Sequence, residues 1–242
     1  MLNLILTRHG EAAPADVILG GRVDPPLTPA GRAEVEALAR RLAGVRVDRI
    51  ISSPMVRALE TAQIIATTLS VEVDERLREL DYGRWEGLTH REVEERDPEL
   101  KARWEHDPAA THAPGGESGD EIAVRLRCFL IDLLAGENAS PAGATRSPRP
   151  ADPGGSRGPV PETLAEAQGE RRVLVAGHGS VNRVLLCVAL GIPVRDFRRR
   201  FVADRANLTV LRYEPGDAPD EAQLILCNDV SHLRVPGEAP WG

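Results

Sequence analysis

Aromatic residues are scarce in this chain of 242 residues: Phe, Trp and Tyr make up 3%. Any core must therefore be packed with aliphatic side chains, and the 42% of apolar residues are enough to build one large domain or two small ones. Cysteine is equally sparse. Cys128, Cys187 and Cys227 lie far apart with no C-x-x-C pairing, so a disulfide framework is excluded and buried, reduced thiols in a cytoplasmic protein are expected. No apolar run is long: Val184 to Ile192 has nine residues, about half of what a bilayer needs. The first apolar run is too short for a signal peptide and carries no basic leader. There is no surplus of positive charge. A net charge of −7 argues against a general nucleic-acid or membrane-surface binder, although a local group of arginines can still hold a small anion. There is also no internal repeat.

What is present reads as alternating strands and helices. "LNLIL" (2–6) and "RVLVAG" (172–177) are nearly continuous apolar runs, the pattern of strands covered on both faces. "VDRII" (47–51) is a third candidate. Thr28-Pro29 offers an N-cap with proline at the first helical position, followed by Val35, Leu38 and Leu42. Ser53-Pro54 repeats that device, with Leu59, Ala62, Ala66 and Leu69 at helical spacing. Thr89-x-x-Glu92 and Ser118-x-x-Glu121 fit the capping box. The second precedes a stripe of Ile122, Leu126, Phe129, Leu130 and Leu133. A helix over 179–189 is expected to stop at Gly191. "NLTVLRY" (207–213) and "QLILCN" (223–228) read as late strands, able to pair as a hairpin. This alternation predicts an α/β layered sheet.

One interval departs from it. Residues 136–171 hold six prolines and six glycines, with Val160 and Leu164 as the only bulky aliphatics. Such a stretch buries too little apolar surface to offset its ordering entropy. It reads as a mobile insertion or an interdomain linker. The 71 residues after it hold too few helices for a separate domain, so a single domain over 1–242 with an insertion is expected.

Two histidines share a setting. His9 follows the first strand between Arg8 and Gly10, and His178 follows "RVLVA" between Gly177 and Gly179. In an open α/β sheet, ligands bind beyond the carboxyl ends of the strands, so parallel neighbours would bring both imidazoles to one site. Each alone could be an ordinary loop residue; the pair is harder to dismiss. His90, His106 and His112 lack such a setting and read as solvated. Arg57 falls on the first turn after strand 47–51, where a helix N-terminus adds free N–H groups and partial positive charge. It could grip an oxyanion in a bidentate fork, or be a surface residue paired with Glu60 or Glu79. Arg22 in "GGRVD" is a third candidate cation.

"LTRHGEA", "PLTPAGRAEVEALARRL", "SSPMVRALETA", "LRELDYGRWEGLT", "GGES", "VLVAGHGSVNRVLL" and "NDVSHL" occur in that order. Together they resemble the histidine phosphatase superfamily, the phosphoglycerate-mutase-like group, over residues 2 to about 134 and from 172 onward. The resemblance implies a three-layer α/β/α fold with a mostly parallel central sheet. It implies His9 as the nucleophile forming a phosphohistidine, and Arg8 and Arg57 as ligands of the transferring phosphoryl group. It implies His178 as a hydrogen-bonding partner of that group and Glu79 as the acid toward the leaving oxygen, then base toward water. Asp81 and Glu86 lie close enough to compete with Glu79. Arg22 and the backbone of Gly179 are further candidates for substrate binding. No metal or cofactor is called for, because an uncharged imidazole can attack phosphorus directly and arginines can offset the phosphoryl charge.

Two positions depart from the family pattern. Where many members carry Thr and Asn after R-H-G-E, this chain has Ala12 and Ala15. The stretch "KARWEHDPAATHAPGGE" (101–117) holds only Lys101 and Arg103 as basic residues, unlike the basic cluster of cofactor-dependent mutases. The phosphatase branch is therefore expected: a metal-independent phosphomonoesterase for a small phosphorylated metabolite, cytoplasmic, monomer or homodimer, without nucleic acid or membrane. The alternatives are a cofactor-dependent phosphoglycerate mutase, an α-ribazole phosphatase, a phospho-ligand binding module, or a metallohydrolase using His9, Glu11 and His178. Segment 83–117 is expected to cover the substrate. Within it, Trp85 and Trp104 read first as core residues and second, with His112, as substrate contacts.

Overall fold

The computed structural model describes residues 1–13, 16–138 and 170–234. Six strands form one sheet: β1 (Leu2–Arg8), β2 (Arg49–Ser52), β3 (Val71–Val73), β4 (Arg171–Gly177), β5 (Leu208–Tyr213) and β6 (Gln223–Asp229), in the order β3-β2-β4-β1-β5-β6. β3, β2, β4 and β1 run parallel; β5 is antiparallel to β1, and β6 to β5. The sheet is thus mostly parallel, and the last two strands form the hairpin.

Alternation along the strands divides the aliphatic core in two. Leu4 and Leu6 of β1 and Val173 and Val175 of β4 face one side, with helices α5 (Gly119–Asn138) and α6 (Gly179–Ala189). Ile5, Leu174 and Ala176 face the other, with α1 (Pro29–Leu42) and α2 (Val56–Ile65). Both faces of β1 and β4 are covered, which is why these strands read as continuous apolar runs. Each buried Leu or Val contributes roughly 1.5–3 kcal/mol. Three shorter helices complete the described chain: α3 (His90–Arg96), α4 (Pro98–His106) and α7 (Phe197–Arg200).

Local signals behave as their chemistry dictates. Thr28 Oγ1 accepts from Gly31 N at 3.0 Å at the start of α1. Both capping boxes form, Thr89 with Glu92 and Ser118 with Glu121. Gly191, with φ +62°, follows α6. Gly10 and Gly31 let α1 lie against the loop after β1, since a Cβ on Gly10 would sit 2.3 Å from the Gly31 carbonyl oxygen.

Several expectations need correction. Ser53-Pro54 does not cap a helix: α2 starts at Val56 behind Met55, which offers no side-chain cap, and it ends at Ile65, leaving Leu69 exposed. Three-residue β3 escapes detection because two of its three residues are exposed. Cys187 is buried, but Cys128 and Cys227 are exposed, on the solvent side of α5 and on the edge strand β6. Of the Pro/Gly-rich interval 136–171, residues 136–138 complete α5 and Arg171 opens β4; the rest, save Glu170, lies outside the described residues, as does Ala15. Among the described residues no helix is long and apolar enough to cross a membrane.

Candidate active site

Three adjacent parallel strands end together. Residues 8 and 177 are partners across β1 and β4, and residues 52 and 176 across β2 and β4. The ladder runs one residue further on each side: His9 N donates to the Gly177 carbonyl and Ser53 N to the Ala176 carbonyl, both at 3.0 Å. His9, His178 and Ser53 are therefore placed by backbone hydrogen bonding at one carboxyl edge. The two imidazoles meet edge to face with centroids 5.2 Å apart.

His9 is buried, and its two ring nitrogens are distinct. Nδ1 lies 2.7 Å from the Gly10 carbonyl oxygen, which can only accept. Nε2 lies 3.3 Å from Nε of Arg57, which can only donate. The pair of contacts fixes a neutral imidazole with the proton on Nδ1 and a lone pair on Nε2. Burial, followed by the charges of Arg8 and Arg57, holds its pKa well below the ordinary histidine value. Burial, Arg57 and His9 do the same to His178. Nε2 of His178 meets the Ser53 hydroxyl at 2.7 Å, while its buried Nδ1 has no partner among the described residues.

Arg57 is wholly buried on the first turn of α2. Besides His9, its guanidinium donates to the carbonyls of Val23 (3.0 Å) and Gly20 (2.9 Å) and pairs with Asp24 at 3.2 Å. It thus ties the 20–24 loop to the histidine. Neither expected surface partner, Glu60 or Glu79, is bonded to it; Glu60 instead pairs with Arg32. Arg8 donates from Nη1 to the Ala203 carbonyl at 2.8 Å, and its buried Nε has no partner among the described residues. Gly179 lies beneath that guanidinium, where a Cβ would sit 3.4 Å from Arg8 Cζ. The Glu79 carboxylate is buried and accepts from the backbone N–H of Ser180 and Val181, at the start of α6, both at 3.2 Å. Its rivals are committed elsewhere: Asp81 to Gly83 N and Arg22, Glu86 to the backbone of Arg22, Val23 and Tyr82.

These groups sit in and beneath a cavity of about 170 Å³ lined by Arg8, His9, Ala12 and Glu79, among others. Arg22 is not brought to it. Its side chain, 60% exposed, pairs with Asp81 at 2.8 Å and donates to the Gly115 carbonyl. Glu11 also turns away, accepting from Thr28 Oγ1 (2.9 Å) and pairing with Arg205 (2.5 Å). It therefore does not join His9 and His178, and among the described residues no three metal-ligating side chains gather. Trp85 and Trp104 are buried and packed edge to face; Trp85 donates to Asp97 at 2.8 Å. His106 and His112 are exposed, whereas His90, also exposed, lies on the wall of the cavity.

Sequence reasoning missed Ser53, Asp24, Tyr82 (whose hydroxyl meets Ser180 Oγ at 2.9 Å) and three further arginines of the wall, Arg183, Arg198 and Arg205. A signal existed for two of them. Ser53 follows a strand just as His9 and His178 do, and Arg183 lies one helical turn beyond Gly179.

The family model of the histidine phosphatase superfamily (branch 1) matches residues 4–141 and 158–223. Bifunctional protein Rv2228c of Mycobacterium tuberculosis is 42% identical over 140 residues, 55% of this chain and 38% of that relative, so the match spans well under half the relative's length. Phosphoserine phosphatase 1 of Hydrogenobacter thermophilus is 29% identical over 217 residues, covering 88% of each chain. Among solved structures, mycobacterial glucosyl-3-phosphoglycerate phosphatase superposes with a TM-score of 0.74 at 27% identity, over 93% of this chain and 98% of its own.

Proposed function

The chain belongs to the histidine phosphatase superfamily, branch 1, and from that membership we propose that it hydrolyses small phosphomonoesters through a phosphohistidine formed on Nε2 of His9. One observation carries the reading. A neutral imidazole, its proton held on Nδ1 by the Gly10 carbonyl, presents a lone pair on Nε2 among arginines. That nitrogen can attack phosphorus without first losing a proton.

In the first step the Nε2–P bond forms and the ester P–O bond breaks. The electron pair leaves with the alcohol oxygen, which takes a proton from the Glu79 carboxyl group. In the second step water attacks phosphorus, Glu79 takes its proton, and the N–P bond breaks to release inorganic phosphate. Arg8 offers its unpartnered Nε to a phosphoryl oxygen, and the Arg57 Nε–H that now faces Nε2 turns to the group that replaces the lone pair. With Ser53 donating to His178 Nε2, the Nδ1 of His178 carries a proton for another phosphoryl oxygen. These donors spread the transferred charge without a metal ion. The enzyme acts as a monomer or homodimer in the cytoplasm, a setting that three free thiols support, without nucleic acid or membrane.

The test is p-nitrophenyl phosphate hydrolysis in the presence of chelator. Wild type turns over and yields an alkali-stable, acid-labile phosphoprotein on alkaline quench, whereas His9→Ala loses at least about 10³-fold in kcat and yields none. Turnover in His9→Ala near the wild-type rate sinks the reading, and turnover abolished by chelator sinks its metal-independence. Net interconversion of 2- and 3-phosphoglycerate, faster than phosphate release, would move the enzyme to the mutase reading.

A further inference from the structure

The proposed chemistry leaves two cations of the cavity wall unused. Four arginines line that cavity, Arg8, Arg183, Arg198 and Arg205, against a single carboxylate, Glu79. Arg8 serves the phosphoryl group. Arg205 is already neutralised, because it pairs with Glu11 at 2.5 Å. Arg183 and Arg198 differ from it: neither forms an ion pair with a carboxylate among the described residues. Each lies instead over an aromatic ring. The Arg183 guanidinium is 5.5 Å from the centre of Phe197, and that of Arg198 is 4.4 Å from the centre of Trp104.

Stacking uses the flat face of a guanidinium and leaves its N–H edge free. Arg183 spends one N–H, from Nε to the Gly179 carbonyl at 2.8 Å; its two terminal amino groups carry no hydrogen bond among the described residues. Arg198 donates none among the described residues. Both side chains are half-buried. Burial first, then the charge of Arg198 among others, lowers the Arg183 pKa, so the two cations sense each other. Two partly desolvated like charges without counter-ions are costly unless an anion joins them.

The geometry points to a second anion subsite: Arg183 and Arg198 hold an acidic group, carboxylate or phosphate, on the alcohol part of the phosphomonoester. This rests on the hydrolase reading and narrows its substrate class to small esters with two acidic ends.

Three esters of similar size and a binding measurement test it. 3-Phosphoglycerate carries a carboxylate, 1,3-propanediol bisphosphate a second phosphate, and glycerol 3-phosphate neither. Wild type is expected to prefer at least one two-ended ester in kcat/KM, and which one identifies the acidic group. Arg198→Gln and Arg183→Gln should each shrink that preference by about 10- to 100-fold, the span of a lost hydrogen bond to a charged group. Arg198→Lys should not restore it fully, because a point charge cannot replace a fork. If Arg183→Gln fails to fold, the Arg198 variants decide. No preference in wild type, or an equal loss on all three esters, overturns the subsite. The same ratio is read by titration calorimetry of the three esters into His9→Ala. Absence of turnover on every ester would therefore break the hydrolase reading, while the binding ratio still decides this one.

Discussion

The floor of the cavity and its wall are held by different forces. On the floor, His9, His178 and Ser53 continue the ladder of three hydrogen-bonded strands, and Arg57 is buried beneath them, bonded to the Val23 and Gly20 carbonyls and to Asp24. On the wall, Arg183 and Arg198 reach in from α6 and α7 and rest on aromatic rings. Floor groups are fixed by backbone geometry, so they belong at once to the fold and to the chemistry. Wall groups are fixed by side-chain contacts at an open mouth, so they can tune selectivity with little effect on folding.

The sharpest way to break this contrast is Arg57→Ala. It strips a donor from the Gly20 and Val23 carbonyls, from Asp24 and from His9 together. A loss on the order of 3 kcal/mol is expected, read by urea denaturation, along with most of the phosphatase activity. Stability within about 0.5 kcal/mol of wild type would show that the floor is no more structural than the wall.

Acidification makes a second, comparable demand on the floor. His9 and His178 are held neutral, with pKa values well below the ordinary 6.5. Below pH 6.5 the unfolded chain binds protons that the folded chain refuses, so stability falls as pH drops and is recovered above that value. Each imidazole costs roughly 1.4 kcal/mol for every pH unit below 6.5, until its folded pKa is reached. Melting followed between pH 7.5 and 5.5 should show this decline, and His178→Gln should lessen its slope. An unchanged slope would mean that His178 titrates in the folded protein as it does in the unfolded one.

The mildest probe is Ser53→Ala. Losing the 2.7 Å contact to His178 should cost about 1 kcal/mol of stability and a three- to tenfold drop in kcat, with KM nearly constant. A change in KM alone would assign Ser53 to the wall.

This division also explains what could be read from the sequence. β1, β4, α1 and α6 were legible because burial on both faces writes unbroken apolar runs, and because Thr28-Pro29 and Gly191 mark ends by local chemistry. His9 and His178 were legible as strand ends. Ser53 was misread because its local signal, Ser before Pro, is that of an N-cap, while its hydroxyl answers a histidine 125 residues away. Arg22 was misread because a cation beside glycines looks like an anion ligand until its partner Asp81 is known. Arg183 and Arg198 were missed because their distinction is the absence of a carboxylate partner among the described residues, which no linear pattern records. Exposed Cys128 and Cys227 follow the same rule: an apolar neighbourhood in sequence does not say which face of a helix or edge strand a thiol takes.

The arginine-lined mouth opens in a chain whose formal net charge is −7. An approaching anion therefore meets two fields of opposite sign and different reach. At physiological ionic strength the distant repulsion is screened beyond about 8 Å, whereas the guanidiniums act at contact. Moderate salt should thus hinder entry less than it would for an enzyme that gathers its substrate from afar.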